Sequence, residues 1–173
     1  MTNTLLRLRR GVDLVFTSAS ALLLAVLVVA VTWQVLSRYV LGIPSTETDE
    51  LSRFLLIWLV LIGAAPCVGG KKHLAIDFLE AALAERGKRM LSLYIDVVVM
   101  AFAFWVMVIG GWRMIDSVRM TGETSPALQL PMGAIYSVLP LSGIAIVLYC
   151  AIDVVLALAG VAPSNDTGNE MVD

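Results

Sequence analysis

The sequence predicts an all-α integral membrane protein of four transmembrane helices, N-in/C-in, and three observations predict it. The first is composition: 59% of the 173 residues are hydrophobic and 15% are charged, with a mean hydropathy of +0.88. A soluble domain averages about 45–50% apolar and about 25% charged, so a chain this apolar needs lipid to cover what one aqueous core cannot hold. The second is the arrangement of the apolar residues in four runs, each long enough to cross ~30 Å of hydrocarbon at about 1.5 Å per residue. The third is the distribution of Lys and Arg. Helix is the required form, because lipid offers no partner to backbone N–H and C=O groups, and none of the runs shows the polar alternation of a barrel strand.

In chain order, the first span is expected at about 14–37, where no charged residue occurs after Arg7, Arg9 and Arg10. It is longer than a signal-peptide h-region and lacks a small-residue cleavage site, so it reads as a retained span. The second is expected at about 51–70 and the third at about 90–112. Residues 113–120 can extend the third before Thr121, Gly122, Glu123, Thr124, Ser125 and Pro126 form a turn. The fourth span is expected at about 132–159.

Between spans two and three, residues 74–85 have Leu74, Phe78, Leu79, Ala82 and Leu83 on one face and Asp77, Glu80, Ala84 and Glu85 on the other. This pattern fits an amphipathic helix in the inner interface, or equally a cytoplasmic continuation of span two. Residues 1–162 thus read as a single four-helix transmembrane domain, and 163–173 as a disordered acidic cytoplasmic tail with little to bury.

Placing the N-terminus inside puts Arg7, Arg9, Arg10, Lys71, Lys72, Arg86, Lys88 and Arg89 on the cytoplasmic side and Arg38, Arg53, Arg113 and Arg119 outside. Eight against four is the bias of a cytoplasmic N-terminus. Trp33, Tyr39, Trp112 and Tyr136 then fall near the outer interface and Tyr94 and Tyr149 near the inner one, as aromatic belts require. The net charge of −2, with its cations at span ends, excludes a nucleic-acid surface.

Ionisable groups inside spans are the first functional candidates, which singles out Asp96 and Asp153. Antiparallel spans place both in the cytoplasmic third. One reading is a proton or cation site; the favoured one is that each reaches water, Lys88 or Arg89, or the Ser92 or Tyr149 hydroxyl, because neither lies at the midplane. At the outer end, Asp49 and Glu50 precede Arg53 by four and three residues, the spacing of one helix face. Arg38 is placed to join them. Cys67 and Cys150 read as buried apolar residues, and Gly133 with Ser137 as a surface able to admit another helix. Pro66 and Pro140 are expected to kink their helices.

His73, the single histidine, excludes a bis-histidine haem within this chain, and beside Lys71 and Lys72 it suits the negative end of span two. No phosphate loop, nucleophile elbow or paired metal motif occurs, so no catalytic, cofactor or metal residue is assigned and the chain is not expected to be an enzyme.

Taken together, Ser37-Arg38-Tyr39, the run Asp49-Glu50-Leu51-Ser52-Arg53-Phe54, Trp58, Gly63-Ala64-Ala65, His73 through Asp77, Ser125-Pro126-Ala127-Leu128, Pro131 and Pro140 resemble the small membrane (Q-type) subunit of tripartite ATP-independent periplasmic (TRAP) transporters. The resemblance runs from about residue 10 to 153. It departs from the family pattern where a tryptophan often precedes the acidic pair, a place taken here by Glu47 or its neighbours.

The resemblance implies a multi-pass protein of the bacterial inner membrane, with a large sodium-coupled membrane subunit and a periplasmic solute-binding protein as partners in uptake of an organic acid or similar solute. It implies that this chain is a fixed scaffold in an elevator-like cycle. Arg38, Asp49, Glu50, Arg53 and Trp58 become subunit-interface candidates, and His73 and Asp77 cytoplasmic-interface candidates. Two other classes remain open: a stand-alone homo-oligomeric transporter or channel, and a membrane anchor for a redox enzyme.

Overall fold

The computed structural model describes residues 2–43, 45–70 and 85–158. Among these it is helical, with one isolated bridge between Thr124 and Pro131. The helices are α1 (Thr2–Tyr39), α2 (Thr46–Gly69), α3 (Glu85–Phe102), a π-helical stretch (Ala103–Gly110), α4 (Gly111–Thr121), α5 (Met132–Tyr136) and α6 (Val138–Leu158). Four stretches are long and apolar enough to cross a membrane: Arg9–Tyr39, Thr46–Gly69, Met90–Thr121 and Met132–Ala157. The expected helix at 74–85 except its last residue, with His73 and Asp77, and the tail at 163–173 lie outside the described residues.

α1 has 38 residues, about 57 Å of helix at 1.5 Å per residue, and so outruns the hydrocarbon. α2 begins where the sequence supplies an N-cap: the Ser45 hydroxyl accepts from Thr48 N–H at 3.4 Å, and Glu47 and Asp49 lie in the first turn, where negative charge meets the positive end of the helix dipole. Within spans, hydroxyls find acceptors one turn back, as Ser20 does at the Phe16 carbonyl (2.8 Å) and Ser52 at the Thr48 carbonyl (2.7 Å).

The third span continues past 112, as residues 113–120 allow: α4 runs to Thr121, with Ile115 and Val118 buried on one side while Arg113, Asp116 and Arg119 stay exposed. Gly122 ends it in the left-handed region, φ 67°, and donates to the Val118 carbonyl at 3.1 Å. The fourth span is divided. Pro140 has no N–H for the carbonyl four residues back, that of Tyr136, and its ring crowds that turn; the helix is interrupted at Ser137, between α5 and α6. α2, by contrast, runs on through Pro66.

α6 is the central helix. Of its most apolar stretch 56% is buried, against 6% for α1 and 11% for α2 and for the third span. It packs against α2, α3 and the π stretch, while α1 leans mainly on α2. Glycines set the closest approaches: a Cβ on Gly143 would lie 2.7 Å from Met107 Cβ, and one on Gly111 would lie 2.9 Å from Pro140 Cδ. The i→i+5 turn of the π stretch is wider than an α turn, and Gly143 is where α6 meets it. Ala65, Ala103, Ala145, Ile146, Tyr149 and Cys150 form the buried core.

Two expectations are corrected here. Tyr149 is 1% exposed, inside the bundle and not in a belt facing lipid. Cys67 is exposed, because it falls on the outer face of α2; Cys150 alone of the two cysteines is buried. Gly133 does admit another helix, and that helix is α4: a Cβ there would lie 3.5 Å from Arg119 Cγ and 3.9 Å from Ile115 Cγ2.

Candidate functional site: polar clusters at the two ends of the bundle

The described polar side chains gather at two ends. One holds the chain's N-terminal turns with the last turns of α2 and α6; it is called here the terminal end. The other holds residues 40–43, Ser45 and residues 122–131; it is called the loop end.

At the terminal end, α1 carries Arg9 and Asp13 one turn apart, and α6 carries Tyr149 and Asp153 one turn apart. Arg9 Nη1 meets Asp153 Oδ1 at 2.7 Å, with the two side chains 18% and 3% exposed. The Tyr149 hydroxyl donates to Asp13 Oδ1 at 2.6 Å. Arg9 Nη2 also donates to the Gly69 carbonyl at the end of α2. The Tyr149 ring lies directly on Gly69, where an added Cβ would come within 2.6 Å of Cδ1, so no larger residue fits under the ring.

Three helices are therefore joined through one arginine and one tyrosine. Because Asp153 is buried, it needs a cation: an uncompensated charge in that position costs several kcal/mol. Asp96, on α3, is buried as well and is engaged within the chain.

The sequence reading puts Asp153 within reach of water, Lys88 or Arg89, or the Ser92 or Tyr149 hydroxyl, and does not include Arg9. In the structure Arg9 is a cation on Asp153, and the Tyr149 hydroxyl donates to Asp13. A signal was present: two polar pairs, each spaced by four, at the start of one span and the end of an antiparallel one. The reading missed it because it counted Arg9 only towards orientation and left Asp13 out.

At the loop end, Glu50 Oε2 accepts from the backbone N–H groups of Ala127 (2.9 Å) and Leu128 (2.8 Å). It thereby acts as a cap on the turn after Pro126. That turn is also closed from within: Ser125 N–H donates to the Leu130 carbonyl at 2.8 Å, and Leu130 N–H to the Ser125 hydroxyl at 3.2 Å. Ser125 is fully buried, and Gln129 takes a positive φ of 53° to make the return.

Trp58 Nε1 donates to the Ile135 carbonyl at 3.1 Å, tying α2 to α5. Asp49 takes both Arg53, at 2.7 Å, and Gln34 of α1, at 2.9 Å. Of the acidic pair expected beside Arg53, then, Asp49 is bonded to it and Glu50 turns into the chain. Arg38 is exposed, its guanidinium 5.9 Å from the centroid of the neighbouring Tyr39 ring.

An open apolar cleft of about 240 Å³ lies between α1, α2 and α5, lined by Leu23, Phe54, Trp58 and Ile135 among others. Its walls hold nothing to ligate an ion or a carboxylate. Among the described residues no group of three or more His, Cys, Asp or Glu is placed to hold a metal.

Residues 27–160 match the family described as "Tripartite ATP-independent periplasmic transporters, DctQ component". The chain is 31% identical over 88 residues to the sialic acid TRAP transporter small permease protein SiaQ of Vibrio cholerae, covering 51% of each chain. It is 30% identical over 122 residues to the isethionate TRAP transporter permease protein DctMQ of Oleidesulfovibrio alaskensis, covering 65% of this chain and 18% of that one. The matching stretch thus spans about half of the first relative and under a fifth of the second. The second, third and fourth spans and the loop turn fall inside the matched 134 residues, 27 to 160, and most of the first span precedes them; the protein belongs to the DctQ-component family of TRAP transporters.

Proposed function

We propose that this chain is a fixed scaffold beside the large, sodium-coupled membrane subunit of a TRAP transporter, in uptake of an organic acid or similar solute delivered by a periplasmic binding protein. One observation carries the reading: the polar groups at both ends are bonded within the chain, tying helix to helix, while the sides of α1 and α2 offer apolar surface and an apolar cleft. Such a bundle is built to be rigid and to be covered, and its cleft is lined by apolar side chains with nothing to coordinate a small anion.

The relative named as a DctMQ permease supports a large membrane partner, because there the matching stretch is one part of a much longer chain. In this reading the terminal end faces the cytoplasm, the membrane is the bacterial inner membrane, and residues 74–85 with His73 and Asp77 lie along its inner surface. Arg38 and Arg53, exposed at the loop end, face the large subunit or the docked binding protein. Asp49 and Trp58 position that surface through their bonds to Arg53 and Ile135, and Glu50 does so through the 122–131 turn.

The experiment is co-purification with the large subunit followed by uptake in proteoliposomes. Arg53→Ala is expected to lower uptake by weakening assembly, with the sodium dependence of the remaining activity unchanged. An intact complex with altered sodium affinity would overturn the scaffold role, as would transport by the small chain alone.

A further inference from the structure

The terminal-end cluster has a property that neither family membership nor a scaffold role requires. α1 is a long apolar helix, only 6% buried over its most apolar stretch, and it leans on α2 while making few contacts with α6, so packing alone does little to fix it against the fourth span. Something must set its height.

We infer that Arg9 and Asp13 on α1, with Tyr149 and Asp153 on α6, form a register lock that sets the height and rotation of the first span against the fourth. The two rungs are Arg9–Asp153 at 2.7 Å and Tyr149–Asp13 at 2.6 Å. The order is reversed along the two helices, so they run antiparallel, and both rungs close in one register only. Sliding α1 by one turn in one direction sets Asp13 against Asp153 and Arg9 against Ala157, leaving two carboxylates together. The opposite slide sets Arg9 against Tyr149 and Asp13 against Ala145, and Asp153 loses its arginine.

A polar residue that is satisfied in one alignment and stranded in its neighbours specifies register, as a single buried polar residue does in a coiled coil. Rotation is fixed by the third contact, Arg9 Nη2 on the Gly69 carbonyl, which draws in the end of α2.

The lock acts at a distance. Gln34, on the same rigid helix, bonds Asp49 at 2.9 Å, and it lies about 37 Å along α1 from Arg9 at 1.5 Å per residue. A slide of one turn, ~5.4 Å, breaks that bond too. The terminal-end rungs therefore help determine whether Gln34 can reach Asp49 at the loop end.

The middle of α1 offers a reporter, because a Cβ at Gly63 of α2 would lie 3.6 Å from Ser20 Oγ, within the reach of a disulfide. The test uses the full-length chain in membranes with Cys67→Ser and the pair Ser20→Cys, Gly63→Cys, and measures the rate of oxidative cross-linking. With the rungs intact the disulfide is expected to form readily. Asp153→Arg is expected to slow it by about tenfold or more, the scale of losing a buried charge partner.

Adding Arg9→Glu to Asp153→Arg is expected to restore the rate, and with it the amount of protein in the membrane should the single variant fail to accumulate. Tyr149→Phe keeps the ring over Gly69 and removes only the hydroxyl; a slowing of about fivefold is expected from one lost hydrogen bond. The lock is overturned if Asp153→Arg cross-links at the reference rate, or if the charge exchange leaves both rate and membrane level as low as in the single variant. An unchanged rate in Tyr149→Phe overturns the Tyr149–Asp13 rung.

Discussion

The two ends of this bundle solve the same problem with different materials. At the terminal end, side chain meets side chain between helices, and the carboxylate of Asp153 is almost fully enclosed. At the loop end, the ion pair between Asp49 and Arg53 is local, one turn apart on α2, with side chains 45% and 74% exposed. The links between elements there are Glu50 on backbone N–H groups of the turn, Trp58 on a carbonyl, and Gln34 of α1 on the half-exposed Asp49. Burial separates the energetic stakes. An exposed pair is screened by water and contributes about 0–1 kcal/mol, whereas removing one member of a buried pair strands the other and costs about 3–5 kcal/mol.

Substitutions at each end can break or sharpen that contrast. The largest effect is expected for Arg9→Gln, which leaves Asp153 enclosed without its arginine: about 3–5 kcal/mol lost, read as a lower midpoint of unfolding in detergent. Next is Glu50→Ala, which removes the acceptor of two backbone N–H groups at a cost of about 1–3 kcal/mol; faster hydrogen exchange confined to residues 122–131 is the measurement. Tyr149→Phe should cost ~1 kcal/mol, because Asp13 is only half-buried and water can replace the hydroxyl.

The smallest effect on stability is expected for Arg53→Ala, at or below about 0.5 kcal/mol. If its unfolding midpoint falls as far as that of Arg9→Gln, the contrast between the ends is wrong. A near-normal midpoint with impaired uptake would place the function of Arg53 outside the chain.

Much of the fold was legible in the sequence, since hydropathy and length are local properties that survive folding. The four spans expected from hydropathy correspond to four observed helical stretches long and apolar enough to cross a membrane. The end of the third span was legible too, since residues 113–120 continue the helix as α4 and Gly122 ends it. The π stretch at 103–110 carries no composition of its own, being held in place by contact with α6 at Gly143.

The polar clusters show the same limit. Asp49 with Arg53 was readable because four residues of helix separate them, but Arg9 with Asp153 is a contact across 144 positions. Glu50 was misread as a partner of Arg53 because spacing alone cannot see the turn at 127–128 that claims it.

The unequal burial of the two cysteines has a practical use. Cys67 projects from the outer face of α2 two residues before its end, while Cys150 is shut inside the core. A membrane-permeant maleimide therefore has a single natural target, so a fluorophore or spin label can be attached to the unaltered polypeptide. If a companion subunit covers that side of α2, the dye will report its arrival directly, as a change in reactivity or emission at one known point.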